Sequence, residues 1–344
     1  MQRLCVLITV SLFLAGCTDQ GDQPSYVVEL NGNALGTTWA VKLLPHKTID
    51  SEDLKKSIGQ RLANFEKIFS HWRKDSDLSK FNSNKSTEPV EIHPEIHELL
   101  NHAKWMHQQT AGTFDPAIGQ IVNLWGFGPD GRNRSTIPKD EEVVEALHSS
   151  GMSQLEILPK HRVRKKHPDL KLDLSGSAKG EIIDQICELL ERYGLQNYLV
   201  EIGGEVRAHG RGKKGKGWNV GLENGKRGKD QLVSIPLRNY AVATSGTYRL
   251  QKPNPKAKRS ASHLLNPQTG KPVENNLIAV NVFAPTARDA DAWATALIIM
   301  GLDQGMKKAE DMHLIVRFCE SRNGAIEISY SSAYKRLYLT ENNF

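Results

Sequence analysis

Cysteine is scarce in this sequence, with four in 344 residues, and their positions take two of them out of any disulfide scheme. Cys5 lies inside an apolar leader and Cys17 closes it, so Cys187 and Cys319 alone belong to the body of the chain. Both sit in apolar patterns, Ile186-Cys187-Glu188-Leu189 and Val316-Arg317-Phe318-Cys319, which predicts small buried hydrophobes. A single bridge between them is the alternative in an oxidising compartment. No Cys/His spacing of the zinc type occurs. Charge of one sign is also in short supply, at a net +6. The excess gathers at residues 160–167 and 211–216 without interleaved aromatics, so these are read as solvated turns and nucleic-acid binding is excluded. Past the N-terminus no stretch is apolar enough to span a membrane, and no G-x-x-x-x-G-K-[ST] phosphate loop is present.

The one long apolar run, residues 4–14 behind Arg3, falls short of the ~20 residues that cross a bilayer as a helix. A positive start, an apolar core and Leu14-Ala15-Gly16-Cys17 predict a lipoprotein signal peptide over residues 1–16, with Cys17 lipidated. A polar tether over residues 17–25 follows, and residues 26–344 are expected to form one domain. The expected location is lipid-anchored at the inner membrane, facing the periplasm. Thr18 and Asp19 after the cysteine make an ambiguous sorting signal between inner and outer membrane.

Alternation over residues 26–44, broken by Asn31-Gly32-Asn33, predicts a hairpin. Leu54, Ile58, Leu62, Phe65 and Phe69 then recur at helical steps behind Ser51 as cap. Pro94 opens a second helix with Ile96, Leu99, Leu100 and Ala103 on its apolar face and Gly112 as its stop. A third helix spans residues 178–194. Strands are expected at residues 198–208, 218–222, 232–237, 240–244 and 277–283, then a helix over 290–300 and a strand near 314–318. Bunched strands and separate helices predict an α+β fold rather than alternating βαβ units.

Gly210-Arg211-Gly212-Lys213-Lys214-Gly215 fits the dinucleotide fingerprint, but it joins strand to strand, where no helix N-terminus faces a pyrophosphate. The segment from Asp173 to Gly180 is a better phosphate candidate. There a strand is expected to end in small residues just before an amphipathic helix, and Lys179 adds positive charge; a plain turn capped by Ser175 is the equal alternative. Ile202-Gly203-Gly204-Glu205 reads as a bulge, with a close approach by a ligand or neighbouring backbone as the alternative. Asp291 and Thr295 stand one turn apart on a helix, where they share a hard cation or, as the alternative, Asp289 or Asp291 caps that helix. Thr113-Phe114-Asp115-Pro116 is a turn carrying a carboxylate. In Ser262-His263-Leu264-Leu265-Asn266-Pro267, His263 is a candidate general base. His93, His97, His102 and His107 are expected in solvent.

Taken together, eight ordered segments resemble the FAD:protein FMN transferase family, the ApbE-type flavin transferases. They are Leu35-Gly36-Thr37-Thr38-Trp39, Ser76 to Asn82, Thr113 to Pro116 with Trp125-Gly126-Phe127-Gly128, Asp173 to Gly180, Ile202 to Glu205, Ser245-Gly246-Thr247-Tyr248-Arg249, Ser262-His263 with Asn266 to Gly270, and Ala290-Asp291 with Ala294-Thr295. The resemblance covers nearly the whole chain after the leader. Two positions depart from the family pattern: Leu35 stands where methionine is usual, and Asn266 where aspartate is, which removes a carboxylate from a metal or turn contact.

The resemblance implies two interlocked α/β subdomains of the ApbE/T-fold-like kind, with FAD in the cleft between them and Mg²⁺ at its pyrophosphate. By similarity, Leu35, Trp72, Thr113, Phe114, Asp115, Asp173, Lys179 and Leu265 would line FAD. The Gly176 carbonyl, Asp291 and Thr295 would hold the cation, and His263 and Lys179 would serve catalysis. The implied reaction moves FMN onto a threonine or serine hydroxyl of periplasmic flavoprotein subunits, those of the sodium-pumping NADH:quinone oxidoreductase or Rnf-type complexes, and releases AMP. An FAD pyrophosphatase and a non-catalytic flavin carrier are the alternatives.

Overall fold

The strands of the central sheet alternate with a period of two, and that alternation decides what covers each face. In spatial order the eight strands are Val28–Ala34, Thr37–Leu43, Tyr198–Ile202, Glu205–His209, Tyr240–Gly246, Leu277–Ala284, Ile315–Arg322 and Ala325–Tyr330, each antiparallel to its neighbours. The computed structural model describes residues 26–131, 136–225, 232–248, 251–252 and 261–340. The leader, Cys17, the tether and Arg249 lie outside the described residues.

Nine α-helices occur among the described residues: α1 Ser51–Phe69, α2 Asp77–Ser83, α3 Pro94–Gln109, α4 Gly119–Leu124, α5 Asp140–His148, α6 Ala178–Arg192, α7 Ala287–Met300, α8 Leu302–Asp311 and α9 Ser332–Tyr338. Trp39, Val41, Val200, Ile202, Val280 and Val282 point to one sheet face and form the main core with α1, α3, α6 and α7. Leu199, Val206, Val242 and Phe283, offset by one residue, point to the other. That face is covered by the pair Trp218–Glu223 and Leu232–Leu237 and by Tyr334 of α9. A third, smaller core joins Ile121 and Val122 of α4 and Val143 of α5 to Ala261 and Leu265. A late segment of chain thus packs into a body built from the early half, which is the interlocking expected of this α+β fold. Cys187 and Cys319 are buried and free. No helix among the described residues is long and apolar enough to cross a membrane.

Several local expectations shift. The turn of the first hairpin falls at Leu35-Gly36, both in the left-handed region (φ 55° and 69°), and not at Asn31-Gly32-Asn33. Gly32 stays within its strand because Trp39 crosses it: a Cβ there would stand 2.8 Å from the indole Nε1. Asp50, not Ser51, caps α1 by accepting from the amides of Glu52 and Asp53. Gly203-Gly204 is a two-residue hairpin turn rather than a bulge, with Ile202 paired to Glu205 and both glycines at positive φ. The fingerprint-like glycines 210–215 do join strand to strand. The stretch before α6 forms no ladder; it is held extended by the Asn82 amide, which bonds Leu172 N at 2.8 Å and Leu172 O at 2.9 Å. Helix α7 begins at Ala287, three residues before the expected start, and Thr286 caps it in place of Asp289 or Asp291.

Candidate functional site

Helices α6 and α7 meet start to start. The turn Ser175-Gly176-Ser177 delivers the chain into α6, with Asp173 anchored through its amide to Pro116 O at 2.7 Å. The Asp173 carboxylate accepts from Ser175 N at 2.9 Å and stands 3.7 Å from His71 Nδ1, so it shapes the turn. Ser175 does not cap α6; Ser177 occupies the cap position without a side-chain cap bond. Gly180 in the first turn of α6 is pressed against α7, where a Cβ would come within 2.2 Å of Ala287 O. Across this contact Asp291 Oδ2 accepts from Gly180 N at 3.1 Å.

Thr295 lies one turn further along α7. A Cβ at Gly176 would stand 3.5 Å from Thr295 Oγ1 and 3.1 Å from the Phe114 ring, so Gly176, Thr295 and Phe114 form one cradle. Ser245 Oγ from the sheet is 3.5 Å from Thr295 Oγ1. Among the described residues no group of three or more His, Cys, Asp or Glu could hold a metal. A cation here would therefore be bound by one carboxylate, a hydroxyl, a carbonyl and the oxygens of a phosphate ligand. That donor set fits Mg²⁺, which prefers hard oxygens and few protein carboxylates. At the α6 start Ser177 N and Ala178 N donate to Leu174 O and Gly180 N donates to Asp291, so the pull on an anion here comes from the Lys179 ammonium and the positive end of the helix.

Lys179 reaches from α6 to Glu205 at 2.6 Å, and Glu205 is buried at the end of the Gly203-Gly204 turn. Glu205 closes the Ile202-to-Glu205 motif, which by itself implies no role for its carboxylate; only the fold brings it to Lys179. A cleft of about 500 Å³ reaches the site's turn at Asp173 and is otherwise lined by His71, Trp72, Asn82, Asp130 and Lys171. Trp72, 50 % exposed, offers its ring to this space.

The other expected residues are placed less uniformly. Leu35 sits at the first hairpin turn with its amide on Glu66 Oε1 at 2.5 Å. Thr113 donates to Thr110 O at 2.7 Å, which tightens the turn that presents Phe114. Asp115 is committed to its own loop and to His107, described below. Leu265 is buried against the α4 and α5 core. His263 stands edge-on to Phe127 at 6.3 Å between ring centres, beside that same core. Asn266 keeps the turn contact in doubt from its sequence, because its Oδ1 accepts from Gln268 N at 2.8 Å. Gln268 Nε2 then donates to Ala111 O at 3.0 Å, tying this loop to the Thr113 turn.

The histidines expected in solvent are engaged instead, because α3 packs against α1, α7 and the strand Leu155–Leu158. His93 caps α3, His97 Nε2 meets Leu158 O at 2.8 Å, and His102 Nε2 meets Asp289 at 2.7 Å. Lys165, inside a cluster read as a solvated turn, is buried.

By class this is an antiparallel α+β protein outside the Rossmann arrangement, with its candidate site where two helix starts meet. The chain belongs to the ApbE family, which it matches over residues 35–318. It is 34% identical over 344 residues to the FAD:protein FMN transferase of Haemophilus influenzae, covering 98% of this chain and 97% of that one. Its fold is similar to the flavin transferase ApbE from Vibrio cholerae, with TM-score 0.82, 34% identity, and coverage of 90% of this chain and 99% of that chain. It is also similar to the apo flavinyl transferase ApbE of Pseudomonas stutzeri, with TM-score 0.83, 30% identity and coverage of 91% and 97%.

Proposed function

We propose that this chain transfers the FMN half of FAD onto a threonine or serine hydroxyl of an acceptor protein and releases AMP. The observation that carries the reading is the convergence of Gly176, Asp291, Thr295 and Lys179 at the meeting of α6 and α7. The names of its relatives support the flavin and the transfer.

In the transfer step the acceptor oxygen attacks the phosphorus of the FMN half, and the bond from that phosphorus to the AMP oxygen breaks. AMP leaves with that oxygen, and His263 takes the hydroxyl proton. Gly176, Asp291 and Thr295 would hold Mg²⁺, which supplies positive charge to the pyrophosphate. The positive end of α6 and the Lys179 ammonium favour the same anion and the charge on the leaving group. Trp72, half exposed, offers apolar surface for the flavin or adenine rings, and the buried Phe114 ring backs the Gly176 turn. Glu205 holds Lys179 in place until the anion arrives.

Acceptors in keeping with this reaction are periplasmic flavoprotein subunits of a sodium-pumping NADH:quinone oxidoreductase or an Rnf-type complex. A lipid at Cys17 would hold the enzyme at the inner membrane facing them.

The test is the intact mass of such an acceptor domain after incubation with the purified protein, FAD and Mg²⁺, with Asp291→Ala as control. A gain of one FMN on the acceptor that is lost in the control is the expected result. An unchanged acceptor with FAD split to FMN and AMP would make the chain a pyrophosphatase. Bound FAD with neither product would make it a carrier.

A further inference from the structure

The two helices that meet at the candidate site are capped by each other's carboxylates. Asp291 of α7 accepts from Gly180 N in the first turn of α6 at 3.1 Å. The return contact comes from Asp184 of α6, whose Oδ1 accepts from Ala287 N at 2.8 Å and whose Oδ2 accepts from Arg288 N at 2.9 Å. These are the first two amides of α7, groups that have no partner within their own helix. Thr286 accepts from the third, Asp289 N, at 3.1 Å. The start of α7 is therefore held from outside by Asp184 as well as by its own cap.

The sheet fixes Asp184 in turn. Arg207 Nη1 pairs with Asp184 Oδ1 at 2.6 Å. Arg207 lies on the same strand as Glu205, the partner of Lys179. Gly180 leaves the two helices no slack, since its Cβ position is occupied by the backbone of Ala287 and Arg288. A closed loop of contacts results: Gly180 to Asp291, along α7 to its first amides, to Asp184, and back along α6 to Gly180.

We propose that Asp184 is a positioning residue for the cation and pyrophosphate site. It sets the depth and rotation of α7, so that Asp291 stays on Gly180 N and Thr295 stays over Gly176. This rests on the reading of that junction as a cation site. The chemistry requires a carboxylate, because three donors converge on its two oxygens. An asparagine of the same size accepts on one oxygen only and turns its own N–H groups toward a backbone N–H or the Arg207 guanidinium.

The experiment has one readout without metal and one with it. In metal-free protein, amide exchange is followed residue by residue at Gly180. In the presence of FAD, Mn²⁺ binding is titrated by electron paramagnetic resonance. In Asp184→Asn the Gly180 amide is expected to exchange at least about tenfold faster and the Mn²⁺ Kd to rise at least about tenfold. Leu190→Ala, a truncation in the buried face of the same helix, is the control for lost stability and is expected to leave both within about twofold of wild type. Asp184→Glu, which keeps the charge but pushes it one methylene further, is measured beside it and stands in if the asparagine variant does not fold. Unchanged Gly180 exchange in the Asp184 variants overturns the proposal, as does an equal effect from Leu190→Ala. If wild type with FAD binds no Mn²⁺, the cation reading of the site fails instead, and the exchange at Gly180 alone decides whether Asp184 holds the helix.

Discussion

His107 Nδ1 stands 3.3 Å from the carboxylate of Asp115. That carboxylate also accepts from Ala117 N at 2.8 Å and Met152 N at 2.9 Å, so it is bound on every side by its own neighbourhood. Nδ1 is also 3.2 Å from Phe114 O, and with acceptors alone around it Nδ1 carries the proton. Asp115 therefore serves the candidate site by fixing the turn that presents Thr113 and Phe114.

The pair gives that turn a pH dependence. The hydrogen bond to Asp115 is the main cause that raises the His107 pKa above its ordinary 6.5, against the opposing pull of burial. A folded-state pKa above the unfolded one stabilises fully below the unfolded value and is lost as pH rises through the folded one. His107→Gln is expected to be less stable than wild type by about 1 kcal/mol at pH 5.5, with the gap closing by about pH 8.5. Thermal midpoints of both proteins across that range check it. A gap that stays constant or widens with pH means the proton is not shared with Asp115.

Two helical glycines should respond to alanine with opposite signs. At Gly180 the new Cβ would lie 2.2 Å from Ala287 O and 2.6 Å from Arg288 Cα, contacts with backbone that no rotamer relieves. Gly180→Ala is expected to cost about 3 kcal/mol or more and to abolish FMN transfer. At Gly59, exposed within α1, a Cβ meets nothing within 4 Å. Gly59→Ala is expected to stabilise by ~0.5–1 kcal/mol through helix propensity and leave transfer unchanged. Denaturant midpoints with transfer assays decide; equal signs would mean that α6 and α7 do not cross at Gly180.

What the sequence made legible follows from how local each signal is. Helices α1, α3, α6 and α7 run 14 to 19 residues with a clear apolar period, and each is found where it was expected to within a few residues. Helices α2 and α4, at 7 and 6 residues, are too short for a period to declare itself. Gly32 signalled a turn in one dimension because nothing local shows that Trp39 lies across it. The small residues before α6 were visible as a phosphate candidate, since the signal is contiguous. The partners that complete the site were not: Glu205 is 26 positions from Lys179, and Asp184 lies more than a hundred from Ala287 and Arg288. Lys165 was misjudged for the same reason, because its basic neighbours are local and the ring that covers it comes from α2.

Ser177 offers a change that should stabilise. Its hydroxyl is buried, the residue 1 % exposed, with no hydrogen-bond partner among the described residues, and it makes no cap bond although it occupies the cap of α6. A serine at a helix cap ordinarily loses stability on change to alanine. Here the desolvation of an unpaired hydroxyl is removed instead, so Ser177→Ala is expected to gain about 1 kcal/mol. A loss in the denaturant midpoint of the apo protein would show that the hydroxyl has a partner after all, such as a bound water.

Lys165 gives the second pH dependence, opposite in sign to that of His107. It is 1 % exposed, donates to Asn84 O at 2.7 Å and holds its ammonium 4.6 Å from the centre of the Phe81 ring. Burial is the main cause that pushes its pKa from 10.5 down to about 8. A depressed folded-state pKa means stability that is fully present above the unfolded value and lost as pH falls through the folded one. Wild type should therefore gain stability from this group as pH climbs from 8 toward 10.5. Lys165→Met keeps the length of the side chain and its contact with Phe81 but carries no charge to bury. At pH 7 it is expected to be more stable than wild type by ~1–2 kcal/mol, the relieved desolvation being partly offset by the lost bond to Asn84 O. Near pH 10 the two proteins should converge. Denaturant midpoints at both values test this: a methionine variant that is less stable at pH 7 would mean that the Asn84 carbonyl and the Phe81 face outweigh the burial of the charge, and that the lysine locks α2 against the strand Arg162–Lys165.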